Sequence, residues 1–229
     1  VDEKAQFFNA NAYKIGYGTG NWVYVGALDT ENHLNENIAS RVADGDHYAI
    51  QFNNANLIRY DTASANNLME AMLNNGWLEF DLKFETLPSS NTFKFRLYDG
   101  SGLYNERFLV EKDMTIENGA GEWHTYRIAI DELDKLCKKS SWGDKAANEY
   151  RYIDMSVIQG FGFLFEQDTT FVARNLHYGY TPVDRNITGI EASTTKTIYN
   201  NGEKIDTSTF KVNVLFDDGN KAMNVSNFT

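Results

Sequence analysis

The chain has 229 residues, 42% of them hydrophobic, with 21 Lys and Arg against 32 Asp and Glu and a formal net charge of −11. That size supports a full core in one large β domain, or one domain plus part of another, and the acidic balance argues against nucleic acid or an anionic membrane surface, which need clustered cations. No apolar run is long enough to span a bilayer, VDEKAQFF carries no charged-then-apolar leader, and the single Cys137 excludes an internal disulfide and zinc-type spacing.

In NWVYVGAL, Val23, Val25 and Ala27 fall on one face and Trp22, Tyr24 and Leu28 on the other, the two-residue period of a strand. The alternation recurs in HYAIQF (Tyr48, Ile50, Phe52), WLEFDLKF (Leu78, Phe80, Leu82, Phe84), TFKFRLY (Phe93, Phe95, Leu97) and RFLVE. It continues in HTYRIAI (Tyr126, Ile128, Ile130), GFGFLFE (Phe161, Phe163, Phe165) and FVARNLHYG. Asn75-Gly76, Asp99-Gly100, Asn118-Gly119 and the ADGD around Gly45 supply turn chemistry between these runs. Two short segments carry a helical stripe: NNLMEAMLNN through Leu68, Met69, Met72 and Leu73, and DELDKLCKK through Leu133, Leu136 and Cys137. Many short strands with helices only as connectors predict an all-β chain, an antiparallel two-sheet sandwich of jelly-roll type.

Composition breaks near GYTPVDRNITG, so residues 1–182 are read as one domain and 183–229 as the start of a smaller one. In the second, ITGIEAS, KTIYNNGEKID and FKVNVLFDDGNKAMNV give an Ile-Glu strand, a Tyr-x-x-Gly-Glu turn, an apolar strand (Phe210, Val212, Val214, Phe216) and an Asp218-Gly219 hairpin. This resembles the opening half of a bacterial Ig-like domain over residues 187 to 228. Such a sandwich uses about seven strands, so the expected setting is a longer modular protein.

The order GWLEFDLKFETL, FKFRLYDG, GEWHTYRIAIDEL, IQGFGFLFEQ and FVARNLHYGY, within roughly residues 5 to 180, resembles the β-sandwich carbohydrate-binding modules of secreted bacterial polysaccharide-degrading systems. The resemblance implies a polysaccharide or oligosaccharide partner, companion modules including Ig-like spacers, and a secreted or cell-surface location. It also implies an Asp near the start of the last strand that helps hold a structural calcium, where this chain has Arg174 or Asn175.

A pyranose ring presents an apolar C–H face and a rim of hydroxyls, so its site needs flat aromatic platforms beside short polar groups. The chain carries 13 Tyr, 15 Phe and 4 Trp. Trp22 and Tyr24 share the strand face opposite Val23 and Val25. Trp142 sits in KKSSWGDKAANEYRY without apolar neighbours, among Lys139, Asp144 and Asn148, with Tyr150 closing the loop. These seven residues are the expected ligand site; for Trp142 the alternative is a side chain pinning its loop to the sandwich. Trp123 reads as rim packing, and Trp77, in phase with Glu79, Asp81 and Lys83, is open between structure and binding.

Glu79, Asp81 and Glu85 invite comparison with the carboxylate strand of laminarinase-like hydrolases. Lys83 and Phe84 stand where the third carboxylate would fall. Glu85 lies about 13 Å along the strand from Asp81, against about 5 to 5.5 Å for a retaining pair, so a solvated face of mixed charge is expected and no catalytic residues are assigned. His33, His47, His124 and His177 show no ligand spacing, and no cofactor is expected. ADGDH, YDGSG and FDDGN are read as hairpin turns, leaving room for one structural calcium in the first domain. The expected function is non-catalytic polysaccharide binding, with α-glucan (starch, maltooligosaccharide) placed ahead of β-glucan or hemicellulose because Trp22 on a strand and Trp142 on a loop could wrap a curved chain. A protein-recognising adhesin is the alternative of another class.

Overall fold

A computed structural model describes residues 3–6, 13–16, 22–27, 39–100, 108–139, 150–205 and 210–222, with backbone path and pairing alone at 3–6, 13–16, 22–27, 47, 61–64, 136–139, 150–151 and 222. The strands are β1 (Glu3–Gln6), β2 (Tyr13–Gly16), β3 (Trp22–Ala27), β4 (Ala39–Asp44), β5 (His47–Asn66), β6 (Trp77–Phe84), β7 (Thr92–Asp99) and β8 (Phe108–Thr115). They continue with β9 (Trp123–Ala129), β10 (Leu136–Lys139), β11 (Tyr150–Tyr152), β12 (Ile158–Tyr180), β13 (Ile187–Thr194), β14 (Phe210–Phe216) and β15 (Lys221–Ala222). One helix, α1 (Met69–Leu73), lies between β5 and β6.

Two long strands build the architecture. The first part of β12, Ile158–Leu164, pairs with β7 on one side and β5 on the other. Register shifts follow between Leu164 and Phe171, and beyond them β12 pairs with β6 and with the first half of β5. Both long strands therefore belong to two leaves. The long leaf runs β11-β10-β8-β7-β12-β5-β3-β2. The second leaf sets β9 and β6 beside the last part of β12, with β1 also on β12 and β4 on β5. Ring contacts show the leaves face to face: Phe80 of β6 stacks on Phe95 of β7 at 5.2 Å and meets Phe163 of β12 at 5.2 Å. The alternate residues Leu78, Phe80, Leu82 and Phe84, Phe93, Phe95 and Leu97, and Phe161, Phe163 and Phe165 fill one buried cluster. Period-two apolar patterning thus becomes the core, because every second side chain of a strand shares a face.

The expected all-β sandwich is observed, with three local differences. GFGFLFE and FVARNLHYG form one 23-residue strand that turns from leaf to leaf. DELDKLCKK is not a helix: Ile130–Leu133 is a 3-10 turn, and Leu136–Lys139 is a strand between β8 and β11. Ladder hydrogen bonds on both sides outweigh a helical stripe too short to stand alone. Third, β3 runs parallel to β5, inside an otherwise antiparallel set.

The strands β13, β14 and β15 form a separate three-stranded sheet in that order. Val214 and Phe216 pack on Leu73, while Ile187 and Ile190 are exposed. The Tyr199-x-x-Gly202-Glu203 turn is present: Gly202 takes φ 84°, and the Asn200 amide donates to Glu203 Oε2 at 2.9 Å.

Candidate functional site

The two leaves present different outer faces. On the second leaf, the charges of β6 and β9 are consumed internally. Arg174 Nη1 donates to both oxygens of Asp44, at 2.6 and 2.7 Å, and its Nε donates to Asp81 at 3.0 Å. Asp81 also accepts from Asn175 Nδ2 and Thr125 Oγ1, each at 2.7 Å. Glu79 accepts from Arg127 and lies 3.3 Å from His177. The indoles are covered by cations: Arg174 lies 3.9 Å and Lys83 4.9 Å from the Trp123 ring centre, and Arg127 4.6 Å from that of Trp77. Asp81 is buried and Glu79 largely so, which corrects the expected solvated face to an ion-pair network at these two positions, while Glu85 is exposed as expected. Asp44 and Asp81 enclose a guanidinium. Among the described residues, no group of three or more His, Cys, Asp or Glu could hold a metal ion.

The outer face of the long leaf is built differently. Its centre is β12, where the phase opposite Phe161 and Phe163 is Gly160, Gly162 and Leu164. Two glycines on one strand face leave a shallow floor. Tyr98 lies across it: a Cβ on Gly162 would sit 3.4 Å from the Tyr98 ring. Arg59 places its guanidinium 4.7 Å from the same ring centre. Arg59 and Tyr98 are both buried, so they form the floor of this face.

Register arranges the rest in rows across the strands. One row runs Tyr24, Arg59, Gly162, Arg96, Glu111, and the next runs Trp22, Leu57, Leu164, Lys94, Asp113. A third holds Asp61, Gly160, Tyr98, Leu109, Lys138 and Tyr150. Exposure grows from the third row to the second. Tyr98 and Leu109 are buried, Arg96 and Glu111 form a half-buried ion pair at 2.6 Å, and Lys94 and Asp113 form an exposed one at 2.5 Å. The hydrogen bond between the last two raises the Lys94 pKa and lowers that of Asp113, so both stay charged through neutral pH.

Of the predicted site residues, Trp22, Tyr24 and Tyr150 occupy backbone positions in the phase of this face. Lys139 pairs with Phe108 and falls in the alternate phase, which removes it from the face by the pleat alone. Trp142, Asp144 and Asn148 lie outside the described residues. Sequence reasoning missed Arg59, Tyr98, Gly160, Gly162, Leu164, Lys94 and Asp113. The available signal was GFGF, where alternate glycines oppose alternate phenylalanines.

No protein-family model and no curated protein matches the chain. Among solved structures, a family 30 carbohydrate-binding module is similar with TM-score 0.50 at 15% identity, over 82% of this chain and 93% of that one. The family 30 module of a cellulosomal cellulase of Clostridium thermocellum gives 0.49 at 16%, over 77% and 96%. A family 11 module from Clostridium thermocellum, solved with a β-1,3-1,4-mixed-linked tetrasaccharide, gives 0.39 at 11%, over 78% and 86%. The first of these defines the class: the fold is that of a carbohydrate-binding-module β-sandwich.

Proposed function

We propose that this chain is a non-catalytic polysaccharide-binding module, and that it holds an extended β-glucan or hemicellulose chain across the outer face of its long leaf. The observation that carries the reading is the row structure of that face: aromatic positions on β3 and β11, a glycine floor on β12 and polar pairs on β7 and β8 fall in one strand phase, spread over three adjacent rows. A flat row suits an extended chain. A curved α-glucan would need Trp22 and Trp142 together; β3 carries the Trp22 position in the row of the leaf, and Trp142 lies outside the described residues. Sugar hydroxyls would meet groups that donate and accept, and C–H faces would meet rings. Residues 1–182 would be the recognition unit and 183–229 an Ig-like spacer, within a secreted or cell-surface protein of several modules.

Affinity electrophoresis against mixed-linkage β-glucan, xyloglucan and starch tests this. Retardation by a β-linked polymer, lost in Trp22→Ala/Tyr24→Ala, is expected. Retardation by starch alone, or binding to a protein partner that excess oligosaccharide does not compete, would overturn it. Release of reducing sugar abolished by Glu79→Gln would replace it with an enzyme.

A further inference from the structure

The ladder between β7 and β12 ends at the pair Lys94 and Leu164, where β12 begins its passage to the other leaf. The two strands part there. Their divergence opens a groove of about 210 Å³ lined by Thr92, Phe93, Lys94, Asp113, Leu164, Phe165 and Glu166. The Phe93 and Phe165 rings lie 5.7 Å apart at an interplanar angle of 30° and are otherwise buried in the core. The groove is therefore lined by aromatic and aliphatic carbon from Phe93, Phe165 and Leu164 together with the polar and charged groups of Thr92, Lys94, Asp113 and Glu166. It is smaller than the roughly 300–1,000 Å³ of pockets that enclose a drug-sized molecule, a size for one ring with its substituents.

Its position matters as much as its chemistry. Leu164, Lys94 and Asp113 are the far end of the row that begins at Trp22 and passes Leu57. Strands repeat about every 4.8 Å across a sheet, close to the advance of one ring in an extended β-linked glucan. A chain laid along this row keeps one sugar per strand and reaches the groove after crossing β5 and β12.

We propose that the groove at the parting of β7 and β12 is an end subsite for one pyranose unit of that chain, with Leu164, Phe93 and Phe165 supplying its apolar lining and Lys94, Asp113, Thr92 and Glu166 the partners of its hydroxyls. The proposal rests on the reading of the face as a glycan site. Lys94 supplies donors and Asp113 acceptors, and hydrogen bonds to charged groups are the stronger kind.

Calorimetric titration of the full chain with cellotriose and cellohexaose tests it. The wild type should bind cellohexaose more tightly than cellotriose. Lys94→Ala/Asp113→Ala, which removes an exposed ion pair, should lower cellohexaose affinity about tenfold and cellotriose affinity by a smaller factor, since a trisaccharide can bind along the row with the groove empty. Thr92→Trp, which fills the groove from an exposed position, should do the same. Unchanged cellohexaose affinity in both variants, with melting temperature preserved and the wild type still binding glycan, overturns the subsite while the face survives. No binding of either sugar by the wild type overturns the face and the subsite together.

Discussion

Arg174 grips Asp44 through Nη1 at 2.6 and 2.7 Å while its Nε reaches Asp81, so one side chain on β12 ties together the end of β4 and the middle of β6. Burial acts to lower the Arg174 pKa, and the hydrogen bonds and charges of Asp44 and Asp81 outweigh it and raise it. The side chains are only 24%, 25% and 10% exposed, which weakens solvent screening of the triad.

Arg174→Met should destabilise the sandwich by about 3 kcal/mol, because it leaves two partly buried carboxylates without their cation. At about 2–4 °C per kcal/mol for a chain of this size, the melting temperature should fall by roughly 6–12 °C. A fall within 1 °C or so would mean that water replaces the guanidinium at little cost. In the wild type, a chelator should leave the melting curve unmoved if Arg174 supplies the charge that a structural calcium would.

Gly162→Ala tests the floor of the long leaf. A Cβ there would lie 2.5 Å from the Ile58 carbonyl oxygen, a backbone atom held in the ladder, and 3.4 Å from Tyr98. The expected loss is about 1–3 kcal/mol, with glycan affinity reduced as Tyr98 is displaced. A variant that melts and binds like the wild type would show that the two strands separate easily and that the glycine is incidental.

Acid should loosen the small sheet. Asp217 accepts from the Asn186 side chain at 2.8 Å and its backbone amide at 3.1 Å, and Asp218 accepts from the Asn220 amide at 2.9 Å and its side chain at 3.0 Å. These bonds hold both pKa values below the ordinary aspartate value. A depressed folded pKa means that the stabilisation is present above about pH 3.9 and disappears as pH falls through the lower folded value. NMR titration should show both carboxyls titrating below about 3.9, with β13 and β14 amide shifts following them. Midpoints at or above that value would remove the clamp.

Removal of residues 183–229 should leave a folded sandwich. Contacts across the junction include Leu73 against Val214 and Phe216 and the Val183 amide donating to Asn74 Oδ1 at 2.9 Å. The buried cluster of the sandwich uses no residue beyond 180. Cooperative melting and unchanged glycan affinity in the chain 1–182 are expected. Loss of cooperativity would make ITGIEAS part of the first domain.

The sequence by itself determined the class of fold and most of the core, since the alternation in WLEFDLKF, TFKFRLY and GFGFLFE needs only the pleat to sort side chains between two faces. It also determined the turns at Gly45 and Gly219, whose φ values of 60° and 83° favour glycine. For the same reason Trp22 and Tyr24 read as sharing one strand phase, and the ladder sets those backbone positions beside Leu57 and Arg59. Tertiary structure alone decided that GFGFLFE and FVARNLHYG are one strand shared by two leaves, that DELDKLCKK joins a ladder, and that Glu79 and Asp81 are bound by Arg127, Arg174 and Asn175. It also brought Arg59, Tyr98, Lys94 and Asp113 to one face with Gly162 and Leu164. Period-two patterning says which face of a strand is buried but not which strand lies beside it. Those neighbours are set by register between segments as far apart as Asp44 and Arg174, and hence by packing of the whole core.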